Sequence, residues 1–235
     1  MSSRLRDALA APDSKRRYVR RLFATIADRY DLITRLLSYG QDRRWKRRVI
    51  DLCGAGPGVR VLDLACGTGD LAFAAAAHGS RVVGLDITHR MLVLAHAKSD
   101  AVPLVTADML ALPFADQSFE VVTTGYGLRN VPDITRAIAE VHRVLKPGGA
   151  FLSLDFDRPS NPIVRAIYLT YLTAAGSALG FLLHRDPDTY RYIPESIRRY
   201  PGAVEVNAML ARAGFSRSDH VPVLGGLMAI HHARR

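Results

Sequence analysis

Cysteine is scarce in this sequence, and the features of an exported protein are missing. The 235 residues include only two cysteines, Cys53 and Cys66, which form neither a disulfide framework nor a metal site. The first residues lack the apolar core of a signal peptide. These absences predict a cytoplasmic protein. His231 and His232 lack further ligands at a suitable spacing, so we expect no metal.

Acidic residues are too few to balance the basic ones. The chain has 22 Asp and Glu against 32 Lys and Arg, a net charge of +10, and residues 1–50 alone hold 14 basic and 5 acidic side chains. The simplest explanation of this basic charge is a solvated helix face. The functional explanations are binding of nucleic acid or of an anionic membrane surface. Because no nucleic-acid-binding motif accompanies the charge and aromatic residues are sparse within it, we expect no nucleic-acid partner.

Predicted strands and helices alternate along most of the chain. Strands are predicted at 61–65, 81–85, 102–105, 119–124 and 149–156, with helices near 70–77, 89–98 and 133–145 and a terminal hairpin at 215–222 and 225–232. This alternation is typical of α/β proteins with a mostly parallel, doubly wound sheet. Residues 1–14 are interpreted as a disordered basic tail, residues 15–58 as a helical segment facing substrate or membrane, and residues 59–235 as the main domain.

The most informative stretch is residues 61–70, VLDLACGTGD. Its apolar residues indicate a buried strand, Gly67 and Gly69 a tight turn, and the following LAFAAAAH a helix. Asp86 ends the next strand, where an acid is placed to bind the two hydroxyls of a ribose. The unit therefore predicts a site for a nucleotide-type ligand.

Two carboxylates decide which nucleotide-type ligand fits. The sequence GTGDLA also matches the loose dinucleotide fingerprint, which places a pyrophosphate at the positive N-terminus of the helix. Asp70 lies in that first turn and Asp63 just below it, and both would repel a pyrophosphate. They suit a ligand that has a cationic amine, a sulfonium and a ribose but no phosphate, which is S-adenosylmethionine. The unit favours a methyltransferase over a dehydrogenase.

Other candidate residues follow the third and fourth predicted strands, at the sheet edge where ligands bind. Asp108 is placed to reach an adenine edge. Arg129 and Asn130 lie in the loop after strand four, near the point to which the methyl group must be directed. A buried arginine is either a structural anchor or a catalytic group, and the sequence leaves both interpretations open for Arg129.

An apolar insertion over about residues 160–200 interrupts the alternation. Residues 166–183 carry no charge, a length at the lower limit of a membrane span. The segment contains Thr, Ser and Gly and lies between strands of a soluble fold. We therefore predict two helices that pack on the domain and wall an apolar pocket, rather than a transmembrane helix.

Several longer stretches resemble the ubiquinone/menaquinone C-methyltransferase family. The match covers about residues 18–232, and its specific parts are RYDLITRLLSYGQDRRWKR, GYGLRNVPD and TYRYIPESIRRYPG. The resemblance implies a class I S-adenosylmethionine-dependent methyltransferase, with a Rossmann-like doubly wound sheet, a terminal antiparallel hairpin, N-terminal helices and a helical insertion acting as a lid.

The resemblance also implies cofactor contacts at Thr68, Asp86, Asp108, Met109 and Gly125, which join Asp63, Gly67 and Gly69 from the motif. The sequence departs from the family pattern at three places. The family often has Asn-Ala at 108–109 and Ser at 125, and usually EFSKP at 155–159. Gly125 therefore offers only its backbone.

The activity that the resemblance implies is C-methylation of a prenylated quinol ring, most of all demethylmenaquinol to menaquinol. A benzoquinol of ubiquinone biosynthesis and another small phenolic metabolite stay open as acceptors. An RNA methyltransferase and a non-catalytic partner of a quinone-synthesis complex are the further alternatives. The intact glycine turn with Asp86 argues against the non-catalytic interpretation.

The chemistry requires near-attack geometry and removal of a proton. By hypothesis, Arg129 stabilises the developing phenolate or polarises a water that takes the proton, Asn130 orients that arrangement, and Tyr30 completes the pocket. Tyr190, Arg191 and Tyr192 match the segment that closes it, and His184, Asp155 and Asp157 are reserve candidates for the base.

A lipid substrate gives the basic N-terminus and the apolar insertion one shared explanation. A peripheral enzyme with cationic helices can dock on anionic lipid at the inner face of the cell membrane and draw in the quinol headgroup. A homodimer is left open.

Overall fold

A seven-stranded sheet with the order β3-β2-β1-β4-β5-β7-β6 forms the centre of the structure, a computed structural model that describes residues 3–235. The first five strands are parallel, and β7 runs antiparallel to β5 and β6. This confirms the predicted doubly wound sheet with its terminal hairpin. The strands are β1 (Arg60–Leu64), β2 (Arg81–Asp86), β3 (Leu104–Thr106), β4 (Phe119–Gly125), β5 (Leu145–Phe156), β6 (Arg217–Val223) and β7 (Met228–Arg234).

Helices cover both faces of the sheet, and further helices extend from its carboxyl edge. Alternate residues of β1 supply the two cores, since Leu62 and Leu64 pack on one face and Val61 on the other. The helices are α1 (Ser3–Ala8), α2 (Pro12–Ile26), α3 (Tyr30–Leu37), α4 (Asp42–Cys53), α5 (Asp70–Ala77), α6 (His89–Lys98), α7 (Ile134–Val144), α8 (Pro162–His184), α9 (Asp188–Arg199) and α10 (Ala203–Arg212).

The N-terminal segment is ordered where the sequence predicts a disordered tail. α1 and the start of α2 occupy most of residues 3–14, so that prediction is wrong there. Leu5 and Leu9 lie one helical turn apart and are buried with Val19 and Tyr192, and this burial stabilises the segment. Residues 1–2 lie outside the described residues.

The fifth strand begins earlier than the sequence indicates. The sequence predicts this strand at 149–156, but β5 starts at Leu145, directly after α7 ends at Val144, and residues 145–149 form its irregular start. The register to β4 shifts between Phe119 and Val121. Gly148 has a left-handed φ of +76°, which a glycine adopts without steric cost.

The apolar insertion consists of α8 and α9. By length and composition α8 could cross a membrane, but one of its faces packs on the chain that follows it. A Cβ at Gly176 would lie 3.1 Å from the Tyr190 carbonyl oxygen, and one at Gly180 would lie 2.5 Å from that of Asp186. These two glycines let the backbones approach closely, so α8 lies along the domain.

Candidate active site

The glycine turn after β1 is held against the end of β2 by Asp86. One carboxylate oxygen of Asp86 accepts the Gly67 N–H at 2.9 Å and the other accepts the Thr88 N–H at 2.7 Å. Gly67 and Gly69 have φ of +54° and +91°, in the region where a side chain is strained. Asp86 thus fixes the turn and also lines the cavity beside it.

We call this space the turn cavity. It lies at the carboxyl edge of the sheet and is lined by Gly67, Asp86, Asp108, Met109 and Gly125, among others. The structure therefore brings together residues that follow four different strands. Its opposite wall comes from α2 and α3, which sequence analysis assigned to a substrate or membrane segment: Arg16, Val19, Phe23 and Tyr30.

Asp63 is a buried carboxylate with one unused oxygen. Its Oδ1 accepts the Thr123 hydroxyl at 2.8 Å, whereas its Oδ2 meets no donor at hydrogen-bonding geometry among the described residues. Burial raises the pKa of Asp63 to about 7. An unsatisfied buried acceptor is costly, and Asp63 lines a small cavity that shares Gly67 and Gly125 with the turn cavity. A cationic group bound there would satisfy it.

Lys46 lies in the same small cavity and was missed by sequence analysis. Its Nζ donates to Asp42 Oδ2 at 2.7 Å and to Asp70 Oδ2 at 2.8 Å. Burial opposes its charge, but Tyr30 and the two carboxylates outweigh this effect and raise the pKa of Lys46. It is the only cationic side chain among the described residues that line this cavity, and two bonds leave one ammonium donor unused.

The N-terminal helices are tied to the sheet edge by polar contacts. The Thr68 hydroxyl donates to Asp31 Oδ1 at 2.6 Å, and Lys98 Nζ lies 2.6 Å from Asp31 Oδ2. Arg16 Nε lies 2.8 Å from Asp108 Oδ2. These contacts hold α2 and α3 over the turn cavity, and they place Thr68 beneath α3.

The departures from the family pattern at Asp108 and Gly125 have visible consequences. Asp108 can form the ion pair with Arg16 because it is a carboxylate where the family often has an amide. At Gly125, the last residue of β4, a Cβ would lie 3.1 Å from Leu71 Cδ1. A serine at this position would therefore require Leu71 to shift.

A larger cavity of about 320 Å³ lies next to the turn cavity. We call it the aromatic cavity. Tyr30 and Tyr126 line both spaces, so the two are neighbours. It is enclosed by α2, α3, α8 and α9, and its walls are mostly apolar and aromatic: Phe23, Tyr39, Phe156, Tyr168, Tyr171, Leu172, Tyr190, Tyr192 and Ile193.

Arg129 is the one full positive charge among the described residues that line the aromatic cavity. Its Nε donates to Asp155 Oδ1 at 3.1 Å and its backbone N–H to Asp155 Oδ2 at 3.0 Å. The guanidinium also donates to the Ser196 hydroxyl and lies 5.0 Å from the centroid of the Phe156 ring. The side chain is therefore held in one orientation at the cavity wall.

Asn130 and Tyr126 join the loop after β4 to its surroundings. The Asn130 amide donates to the Tyr126 carbonyl at 2.6 Å, and its oxygen accepts the Tyr192 hydroxyl at 3.0 Å. Tyr126 has a φ of +63° and its hydroxyl donates to Asp42 at 2.6 Å. Sequence analysis did not single out Tyr126, because only the fold shows that this loop carries its ring between the two cavities.

The reserve candidates for the base do not line either cavity. Asp155 is occupied with Arg129. Asp157 accepts the N–H of Ala203 at the start of α10 at 2.8 Å. His184 shares a hydrogen bond of 2.9 Å with the Tyr190 hydroxyl. Of the segment expected to close the pocket, Tyr190 and Tyr192 line the aromatic cavity.

His231 has a structural partner. Its buried ring lies 2.9 Å from the Asn207 side-chain oxygen, and burial lowers its pKa to about 3. Within residues 3–235, no group of three or more His, Cys, Asp or Glu side chains is arranged to hold a metal ion.

The sheet order and the glycine turn define a class of protein, the S-adenosylmethionine-dependent methyltransferases. An S-adenosylmethionine-dependent methyltransferase from Mesorhizobium loti aligns with a TM-score of 0.60 at 21% identity, over 80% of this chain and 96% of that one. The complex between the Haloferax volcanii Trm112 methyltransferase activator and the putative methyltransferase gives a TM-score of 0.66 at 19% identity, over 90% and 96%. These likenesses establish the fold.

The chain belongs to the ubiE/COQ5 methyltransferase family, whose model matches residues 11–235. The demethylmenaquinone methyltransferase of Thermus thermophilus is 42% identical over 216 residues, which are 89% of this chain and 98% of that protein. The ubiquinone/menaquinone biosynthesis C-methyltransferase UbiE of Hahella chejuensis is 40% identical over 92% of this chain and 91% of its own length. The resemblance inferred from the sequence is confirmed.

Proposed function

We propose that this protein transfers the methyl group of S-adenosylmethionine to a ring carbon of a prenylated quinol, with demethylmenaquinol as the preferred acceptor. The observation that carries the proposal is the position of Arg129 in the wall of an apolar cavity that adjoins the turn cavity through Tyr30 and Tyr126. The names of the relatives support the acceptor class.

The residues around the turn cavity fit S-adenosylmethionine. Asp63 Oδ2 offers an acceptor for the methionyl amine, and Lys46 offers a donor for the methionyl carboxylate. In this proposal Asp86 accepts the ribose hydroxyls and Asp108 accepts the adenine amino group. When bound, this cosubstrate supplies an electrophilic methyl group on a cationic sulfur.

The protein contributes positioning and charge. A ring carbon supplies the electron pair of the new C–C bond, the bond from sulfur to the methyl group breaks, and the ring then loses a proton. The ring is a strong nucleophile only when its neighbouring hydroxyl is ionised. Arg129 is held for hydrogen bonding to that oxygen, and its guanidinium stabilises the phenolate without accepting a proton. A water at the cavity wall takes the proton.

Tyr30 and Asn130 complete this arrangement. Tyr30 lies where the two cavities meet, and burial raises its pKa, so its hydroxyl stays neutral and is a donor to substrate oxygen. Asn130 keeps the Arg129 loop fixed to α9 through Tyr192. The proposed result is a near-attack arrangement of ring carbon and methyl group.

The proposal is tested by methyl transfer from labelled S-adenosylmethionine to three reduced acceptors. These are a short-prenyl demethylmenaquinol, the matching demethyl-benzoquinol and a water-soluble phenol. We expect label on a ring carbon of the naphthoquinol. Preference for the benzoquinol would assign the protein to ubiquinone biosynthesis, and activity on the phenol alone would overturn a lipid-quinol substrate.

Contact with an anionic membrane is also part of the proposal. Fewer basic side chains of the N-terminal segment are available for that contact than its composition predicts. Lys15 donates to the carbonyls of Arg129 and Val131, and Lys46 is buried in ion pairs. Arg16 is engaged with Asp108. Several arginines of α2 and α4 are exposed and free to meet anionic lipid: Arg17, Arg20, Arg21, Arg43, Arg44, Arg47 and Arg48.

A further inference from the structure

One face of α8 is a continuous apolar stripe in contact with solvent. Only 28% of its most apolar window is buried, although its opposite face packs on α9 and on the aromatic cavity. Ile163 and Ile167 are 70% and 67% exposed. The stripe follows helical spacing and contains no charged residue: Ile163, Ile167, Thr170, Tyr171, Ala174, Ala178, Phe181 and Leu182. A soluble protein rarely leaves such a surface without a partner.

The mouth of the aromatic cavity opens on this stripe. The hydroxyls of Tyr39 and Tyr171 share a hydrogen bond, and both side chains line the cavity while also facing solvent. Leu32 and Leu36 are exposed one helical turn apart on α3, and Tyr39 follows in the turn after that helix. Apolar surface is thus continuous from solvent into the cavity that holds Arg129.

Cations flank the stripe at both ends, whereas the carboxylates near the two ends of α8, Asp157 and Asp186, accept hydrogen bonds from the chain itself. α8 contains no carboxylate, and its only Lys or Arg is Arg165 near its start. Arg158 precedes α8, Arg185 follows it, and Arg35 lies on α3; all three are exposed. An apolar helix face with cations at its edges matches a lipid surface with anionic headgroups. A second copy of this chain would bring the same cations into opposition.

We propose that the α8 stripe and the exposed face of α3 lie on an anionic bilayer, and that the polyprenyl tail of the acceptor enters between Tyr39 and Tyr171. This inference rests on the proposed function for its substrate. The buried face of α8 is fixed by Gly176 and Gly180, so the helix lies in the plane of the interface and its apolar side chains insert among the acyl chains. The tail remains in lipid while the ring reaches Arg129.

Vesicle binding tests the surface. The full chain is floated with vesicles of phosphatidylcholine and phosphatidylglycerol, and with vesicles of phosphatidylcholine alone. The double substitution Ile163→Asp with Ile167→Asp is compared with Val204→Asp, which changes a valine of α10 that is 77% exposed away from the stripe. We expect the double variant to bind the anionic vesicles at least about tenfold more weakly, because two isoleucines that would insert among the acyl chains are lost. Val204→Asp binds like wild type.

Quinols of different prenyl length distinguish a loss of membrane docking from a loss of folding. Both variants are expected to bind S-adenosylhomocysteine like wild type and to methylate a short-prenyl quinol in solution. With a long-prenyl quinol in vesicles, only the stripe variant loses activity. Equal vesicle binding by all three proteins would overturn the proposal, and so would a dimer that the stripe substitutions dissociate. Vesicle binding by a wild-type protein that methylates no quinol would overturn the proposed acceptor and leave the bilayer contact standing.

Discussion

Arg129 and Asp155 form a buried ion pair at the wall of the aromatic cavity. The carboxylate accepts both the Nε–H and the backbone N–H of Arg129, at 3.1 Å and 3.0 Å. The two bonds fix the side chain and its own backbone together. Removing one partner of such a pair leaves a buried charge uncompensated, at a cost of about 3–5 kcal/mol.

Arg129→Lys is expected to lower kcat by about a hundredfold while leaving the Kd of S-adenosylhomocysteine unchanged, since a lysine cannot reproduce the fork of bonds to Asp155 and substrate. Single-turnover kinetics and calorimetry measure the two quantities. Arg212→Lys, at an exposed ion pair with Glu205, is the control. Near-normal turnover of Arg129→Lys with an unchanged pH profile would show that Arg129 is only an anchor.

Lys46→Met is expected to weaken binding of S-adenosylhomocysteine by about tenfold to a hundredfold, the loss of one charge-assisted bond. The affinity for methylthioadenosine, which lacks the methionyl carboxylate and amine, should not change, because that ligand does not reach Lys46. Lys146→Met provides the control, since Lys146 pairs with Glu120 at the opposite edge of the sheet. Equal losses for both ligands would mean that the substitution only disturbs the fold.

Cofactor affinity is expected to fall with falling pH. Burial raises the pKa of Asp63 to about 7, and the cationic amine binds the ionised form, so binding below that pH must first expel a proton. Affinity for S-adenosylhomocysteine therefore falls by up to about tenfold per pH unit below the pKa. Calorimetry in buffers of different ionisation enthalpy should detect the released proton. Asp63→Asn removes this dependence; a proton release that persists in the variant would assign it to another group.

The same carboxyl affects the stability of the ligand-free protein. The pKa of Asp63 in the folded state is raised above the ordinary value of 3.8. The contribution of Asp63 to the free energy of unfolding is therefore fully present below pH 3.8 and is lost as the pH rises through about 7. The free energy of unfolding in urea should decrease over this range, and less so with bound S-adenosylhomocysteine. A decrease of equal size in Asp63→Asn would contradict this origin.

Gly180→Ala is expected to destabilise the protein by about 1–3 kcal/mol, because the new methyl group would lie 2.5 Å from the Asp186 carbonyl oxygen. Helix propensity alone predicts the opposite sign, about 1 kcal/mol of stabilisation. Urea unfolding distinguishes the two. Thr170→Ala, on the exposed face of the same helix, should change stability little. A stabilised Gly180→Ala protein would show that the connection between α8 and α9 shifts easily to make room for the methyl group.

Much of the wall of the turn cavity could be predicted from the sequence, because it depends on local backbone geometry. Gly67 and Gly69 are required where the turn adopts positive φ, and Asp63 and Asp86 occupy the ends of adjacent parallel strands. The alternation of predicted strands and helices predicts the sheet in the same way, because it too is a short-range pattern. Helical order before residue 15 was missed, since its stabilising contact with Tyr192 lies far along the chain.

The sequence by itself therefore determined the fold, the family and the glycine turn, all of which depend on short-range pattern. Only the tertiary structure decided the position of Lys46. In the sequence it is one member of a basic run, whereas in the structure it is a buried cation, because α4 brings its Nζ to 2.8 Å from Asp70 Oδ2. It also decided that Tyr39 and Tyr171, 132 residues apart, meet at one cavity mouth. Such pairings depend on how helices pack over the sheet, and no local sequence pattern specifies which distant residues meet there.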